Sequence, residues 1–213
     1  MRYFVLLVFV LLFCVVLSAQ NPYTQDLYNV ENISDVNYGT ATNYAGSSET
    51  LLMDIYKPVG DDNCLRPLMI LAHGGAWVTD DKTNTSLEYM SMELAKRGWV
   101  VANINYRLGM NNTDDYSTNA FCQGITEPCA FMIDSMEVER ANFRAMQDAK
   151  GAIRFMKSRN MTDSTDIENV FMAGESAGGF ISLSTGFTDD ISKKPASCFA
   201  IGDVLSPDAD FDD

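Results

Sequence analysis

The sequence predicts an α/β fold with a mostly parallel sheet and helices on both faces. Three observations carry that expectation. Residues 68–72 form a short apolar run without polar alternation, which suits a strand buried on both sides, and 99–104 read as another buried strand. Segments at helical spacing lie between and after them, and a strand–helix–strand order calls for right-handed parallel crossovers. At 213 residues and 46% hydrophobic content, the chain can bury a substantial core, most simply as one domain.

Taken in order, residues 1–19 read as a secretory signal peptide. Arg2 gives a positive start, residues 4–17 are uncharged and apolar, and Ser18-Ala19 offers a small-residue cleavage site ahead of Gln20. The run is short for a membrane span, and bulky Phe13 before Cys14 argues against lipid attachment there. The expected location is secreted or periplasmic, with no stable membrane anchor after cleavage. The domain proper is then 20–213. Export leaves Cys64, Cys122, Cys129 and Cys198 in an oxidising compartment, where three pairings are open. Cys122 and Cys129 share one loop and are the favoured pair, while Cys198 also reads as a small buried hydrophobe. Asn32, Asn84, Asn111 and Asn160 each open a glycosylation pattern.

Residues 36–56 alternate weakly around turn residues at Gly46-Ser47-Ser48, and predict two antiparallel strands. After the strand at 68–72, Leu87, Met90 and Leu94 fall at helical spacing, with Lys96 and Arg97 in the last turn and Gly98 as the C′ residue. The polar stretch 109–133 predicts a disulfide-tied insertion at the rim of a site. From 135 to 159 one long helix is expected, its apolar stripe Phe143, Met146, Ala149, Ile153 and Met156, with Arg140, Arg144, Lys150 and Lys157 off the stripe.

The chemistry concentrates at residues 174–179, Gly-Glu-Ser-Ala-Gly-Gly, which follow the apolar run 170–173. A strand, a G-x-S-x-G turn and a helix start form the context of a nucleophile elbow. Side chains at Gly174 and Gly178 would crowd such a turn. The turn pushes the Ser176 hydroxyl above the sheet and sets the Ala177 N–H, at the positive end of the next helix, beside the reacting carbon. Upstream, His73-Gly74-Gly75-Ala76-Trp77 follows directly on its own apolar run.

These two motifs, in this order, resemble the α/β-hydrolase fold esterases and lipases, the carboxylesterases in particular, over residues 54–206. The resemblance implies oxyanion-hole amides at Gly74, Gly75 and Ala177, a nucleophile at Ser176, and elbow and loop support from Gly174, Glu175, Gly178 and His73. Ala76 stands where the family carries a third glycine. Similar esterases also place a tyrosine–arginine pair where Tyr106-Arg107 stand, and an aspartate where Asp148 stands. Structural roles are expected for all three.

The implied reaction is acyl transfer, with an acyl-enzyme on Ser176 released by water. The substrate implied is a small-molecule or glycan-linked ester. His73 is the only histidine. The fold's order is serine, acid, histidine, so His73 is expected to prop the loop, as in similar esterases. The carboxylates after Ser176, at Asp189, Asp190, Asp203 and Asp208, have no later histidine to orient. Neither triad acid nor base is therefore assigned. The expectation is an N-terminal piece of a secreted serine carboxylic-ester hydrolase lacking its C-terminal strands, with 198–201 as a sixth strand. A non-catalytic hydrolase-like binding domain is the alternative; the intact GESAGG turn and HGG loop favour the enzyme. A net charge of −14 lacks the basic footprint of nucleic-acid binding. No zinc spacing, dinucleotide fingerprint or phosphate loop is present, so neither metal nor cofactor is expected.

Overall fold

The computed structural model describes residues 22–60, 63–109 and 135–199. Outside these lie residues 1–19, for which a signal peptide is expected, Cys122 and Cys129 with most of their loop, Asn111, Asp203, Asp208 and residues 200–201.

Strands β1 (Asn29–Thr42) and β2 (Ser48–Val59) form an antiparallel hairpin. At its turn the Asn43 carboxamide oxygen accepts from the N–H groups of Ala45 and Ser47, and Gly46 takes the left-handed φ of +80°. Next come β3 (Arg66–Ala72), helix α1 (Thr85–Lys96), β4 (Val100–Ile104), helix α2 (Ser135–Ser158), the short α3 (Asn160–Asp163), β5 (Thr165–Gly174) and helix α4 (Ala177–Phe187). Single 3-10 turns cover Pro22–Thr24, Ile191–Lys193 and Ala196–Phe199. The sheet runs β1-β2-β4-β3-β5. Strand β3 is parallel to both β4 and β5, and the β1–β2 hairpin is added antiparallel beside β4, so the sheet is mixed.

Period-two alternation decides which helix each side chain meets. Leu68, Ile70, Ala72, Val100, Ala102 and Ile104 pack with Ala145, Ala149, Ala152, Met156 and Ile181 of α2 and α4. Leu71 and Val101 face the other way, onto Leu87 and Ala95 of α1. Full burial of one such leucine stabilises by roughly 1.5–3 kcal/mol. Helices on both faces were expected, and this alternation produces them.

Several expectations need correction. Met90 is 43% exposed, because α1 buries Leu87, Ser91 and Ala95 at a spacing of four instead. Arg144, expected off the apolar stripe, is fully buried and donates to Gly109 O at 3.1 Å. Strand β5 starts five residues before the apolar run: Thr165 pairs with Arg66, and exposed Glu168 and Asn169 sit where the register shifts. Residues Ala196–Phe199 form a 3-10 turn, not the opening of a sixth strand, with Cys198 N–H bonded to Pro195 O at 2.9 Å and its side chain against Phe143 and Met146. Cys198 is thus buried, as a small hydrophobe would be; Cys64 is an exposed free thiol.

Among the described residues β5 is the sheet's edge, and the outward face of α4 exposes Phe180, Leu183 and Phe187. No described helix is long and apolar enough to cross a membrane.

Candidate active site

Parallel pairing brings the two sequence motifs together. Ala72, last in β3, is the register partner of Gly174, last in β5. Both chains therefore leave the sheet at one level, and Glu175 N–H bonds back to Ala72 O at 3.3 Å. From there the chain after β3 runs to α1 on one face, while that after β5 enters α4 on the other. Adjacent carboxyl ends whose continuations diverge open a crevice, the usual ligand position in such sheets.

Ser176 stands at this crevice with φ 50° and ψ −113°. A serine held in so sparsely populated a region costs of order 1–3 kcal/mol, supplied by its surroundings. Although it occupies the N-cap position of α4, its side chain makes no capping bond. The hydroxyl is left exposed and unengaged, unlike that of a serine that merely closes a glycine-rich turn. A β-carbon on Gly174 would lie 2.4 Å from Gly178 C, and one on Gly178 2.0 Å from Ala72 O. Backbone on every side thus excludes a side chain at either position. Gly178, Gly179 and Phe180 turn their N–H groups back onto Glu175 O and Ser176 O. The Ala177 N–H at the positive end of α4 is not spent on these turn bonds. The Glu175 side chain is exposed.

The glycine loop lies directly on this turn. A β-carbon on Gly74 would meet Glu175 O at 3.3 Å and the Ser176 β-carbon at 3.4 Å. Three successive residues are left-handed: Gly75 at φ +92°, Ala76 at +53° and Trp77 at +60°. Ala76 therefore adopts what the family's third glycine would adopt freely, at a cost of roughly 1–2 kcal/mol. Bonds from Val78 N–H and Thr79 N–H to Gly75 O, and from Gly109 N–H to Trp77 O, hold the loop in shape. The Trp77 ring tilts against Phe180, one turn beyond Ser176, with centroids 6.0 Å apart.

His73 is buried, and its contacts are with the loop and with Tyr106. Its Nδ1 lies 2.8 Å from Gly74 O, which can only accept, so Nδ1 carries the proton. Its ring stacks on Tyr106 at 4.3 Å and 16°. Burial pushes its pKa below the usual 6.5, against the pull of the Gly74 bond and of Asp80 and Asp81. The Tyr106 hydroxyl reaches His73 O at 2.9 Å and Gly74 O at 3.0 Å, and burial raises its pKa well above the ordinary value, keeping it a donor. Its neighbour Arg107 grips Asp148 through Nε and Nη2 at 2.7–3.0 Å while its backbone N–H reaches the same carboxylate at 2.8 Å. Burial raises the Asp148 pKa, and Arg107 opposes that shift. Asp148 is thereby committed to β4's exit. At the loop's far end, Lys82 bridges Asp35 and Asp54 at 2.9 Å each, a bracing pair that sequence reasoning missed because its carboxylates lie far back in the chain.

Of the carboxylates after Ser176, Asp189 and Asp190 lie exposed on the turn beyond α4, with Asp189 paired to Lys193. The described residues thus bring together Ser176, Ala177, Gly74, Gly75 and His73, and add no second imidazole. Among them no group of histidine, cysteine, aspartate or glutamate side chains could hold a metal ion.

The fold is that of the α/β hydrolases. Particular likenesses follow. The sequence model of the BD-FAE family matches residues 53–126, which include the glycine loop. A truncated form of a carbohydrate esterase from gut microbiota superposes with TM-score 0.52 at 21% identity, over 79% of this chain and 47% of that one. A bifunctional GH43-CE protein of Bacteroides eggerthii gives TM-score 0.51 at 19% identity, over 75% and 16%. The neuroligin-like protein glit-1 of Caenorhabditis elegans is 28% identical over 132 residues, 61% of this chain and 15% of that protein. The chain spans less than half the length of each of these relatives.

Proposed function

We propose that these residues form the nucleophile half of a serine carboxylic-ester hydrolase that acts outside the cytoplasm. The observation that carries this reading is Ser176 itself: a strained, exposed serine with an unengaged hydroxyl, pressed against a glycine loop. Strain at a residue whose neighbours are built to hold it marks a functional position. Ser176 attacks the ester carbonyl, and the amides of Gly74 or Gly75 and Ala177 receive the oxyanion. Each such donor lowers the barrier by roughly 3 kcal/mol. The intermediate collapses with loss of the alcohol, and water then hydrolyses the acyl-enzyme to the carboxylic acid and free Ser176.

The base that deprotonates Ser176, and its orienting acid, are proposed to come from polypeptide outside these 213 residues. The reason is that the only histidine precedes the serine, against the fold's serine–acid–histidine order, and lies buried on Tyr106 with its Nδ1–H on Gly74 O. Oxyanion amides without a triad leave an acceleration of only about 10³–10⁴ over water. The apolar start and small-residue site of residues 1–19 support export, and a glycan-linked or small-molecule ester remains the proposed substrate. The same engaged histidine favours a second reading, a hydrolase-like binding domain without turnover.

The test is hydrolysis of a p-nitrophenyl ester series by the whole protein, including any reading frame beyond Asp213. Hydrolysis that Ser176→Ala lowers by at least 10³-fold supports the enzyme. Wild-type turnover in Ser176→Ala refutes the mechanism, and an inert whole protein selects the binding domain.

A further inference from the structure

We propose that Tyr106 is a positioning residue for the oxyanion-binding amides, its one hydroxyl hydrogen shared between two successive loop carbonyls so that the N–H groups behind them face the crevice. This rests on the reading of Ser176 as nucleophile. In a planar trans peptide the N–H points opposite to the C=O. The carbonyl of His73 shares its peptide with the Gly74 N–H, and that of Gly74 with the Gly75 N–H. Both carbonyls lie at 2.9–3.0 Å from one Tyr106 oxygen. Both amides are therefore turned away from Tyr106, on the stretch where Gly74 lies against Ser176. Successive N–H groups on one side form a concave anion-binding nest.

The hydroxyl acts on both peptides, where each of the other contacts acts on one. Gly75, Ala76 and Trp77 are all left-handed, and Gly74 and Gly75 have no β-carbon to oppose a peptide flip. The Gly74 carbonyl also receives His73 Nδ1–H, but the bonds that hold the loop beyond it act on Gly75 O and Trp77 O. For the His73 carbonyl, Tyr106 supplies the side-chain hydrogen bond. The aromatic ring alone packs the core and stacks on His73, and phenylalanine fills that space equally well. Only the hydroxyl carries the positioning.

Tyr106→Phe and Ser176→Ala are compared with wild type in the whole protein, using p-nitrophenyl acetate and a trifluoromethyl ketone that forms a tetrahedral adduct with the serine. Tyr106→Phe is expected to lower kcat roughly 10- to 100-fold, to keep KM within about twofold, and to weaken ketone binding by the same factor as kcat. Unchanged kcat and ketone affinity overturn the inference, as does a rise in KM alone. Undiminished hydrolysis by Ser176→Ala instead removes the nucleophile assignment, a distinct failure. Should Tyr106→Phe not fold, a crystal structure of the wild-type ketone adduct decides. An adduct oxygen on Gly74 or Gly75 N–H, with Tyr106 on both carbonyls, supports the inference; an oxygen bound elsewhere overturns it.

Discussion

Replacing Gly178 by alanine sets two effects of opposite sign against each other. In an open helix, alanine for glycine stabilises by roughly 0.5–1 kcal/mol through backbone entropy. Gly186, in the same helix α4, is such a position, since a β-carbon there meets nothing within 4 Å. At Gly178 the new carbon would lie 2.0 Å from Ala72 O, 2.7 Å from Ala72 C and 2.8 Å from His73 O. Ordinary van der Waals contact begins at 3.4 Å, so something must move by roughly 1.4 Å. The atoms in the way are backbone of a central strand, paired on both sides, and of the residue that opens the glycine loop. Overpacking of this kind costs roughly 1–3 kcal/mol. A displacement of about 1 Å between nucleophile and oxyanion donors costs on the order of 10²-fold in rate. The expected outcome is a net loss of stability in urea denaturation for Gly178→Ala, with fluorophosphonate labelling of Ser176 slowed about 100-fold. Gly186→Ala should gain stability and keep its labelling rate. Equal stability and equal labelling for Gly178→Ala would refute the packing argument.

Three further outcomes follow from the same geometry. Asp148→Asn leaves the buried Arg107 without its carboxylate and should cost roughly 3–5 kcal/mol in denaturant unfolding, most of it recovered in an Arg107→Met, Asp148→Leu double variant. For His73 the folded-state pKa lies below the unfolded 6.5, so below that pH the unfolded chain binds the extra proton. Stability should therefore fall as pH drops through about 6.5, by at most about 1.4 kcal/mol per pH unit from this group. An NMR titration in which the imidazole protonates at or above 6.5 contradicts this. Asn84 caps α1 by accepting from Ser86 N–H at 3.0 Å and Leu87 N–H at 3.3 Å, so Asn84→Ala should cost about 1 kcal/mol, read as a melting point lower by a few degrees.

What the sequence made legible was whatever repeats with a period or forms a dense motif. The runs at 68–72 and 99–104 are mostly buried and stand out as apolar stretches, the second interrupted only by Asn103. The elbow and glycine loop are legible because at Gly75, Gly174 and Gly178 the surrounding backbone leaves no room for a side chain. Legibility fails where a residue's role depends on a partner distant in the chain. Arg144 looks like a solvated cation on a helix, and its carbonyl partner at Gly109 becomes its neighbour only in the fold. The start of β5 is hidden because Asp166, Glu168 and Asn169 are polar, and pairing with β3 is made at Thr165 before them and resumes at Val170 after them. Met90 and Leu87 are equivalent in a three-or-four spacing, and only the packing of Ser91 against Asn103 selects the face. The Ala72–Gly174 register, which sets the loop beside the serine, leaves no trace in either segment alone.

The central claim is that Ser176 is a nucleophile held ready by its backbone. The most direct measurement is mass-spectrometric mapping of a fluorophosphonate adduct on the whole protein, with heat-denatured protein as control. The account predicts one adduct, on Ser176, absent after denaturation and absent in Ser176→Ala. An adduct on another residue, or labelling of Ser176 that survives denaturation, contradicts it.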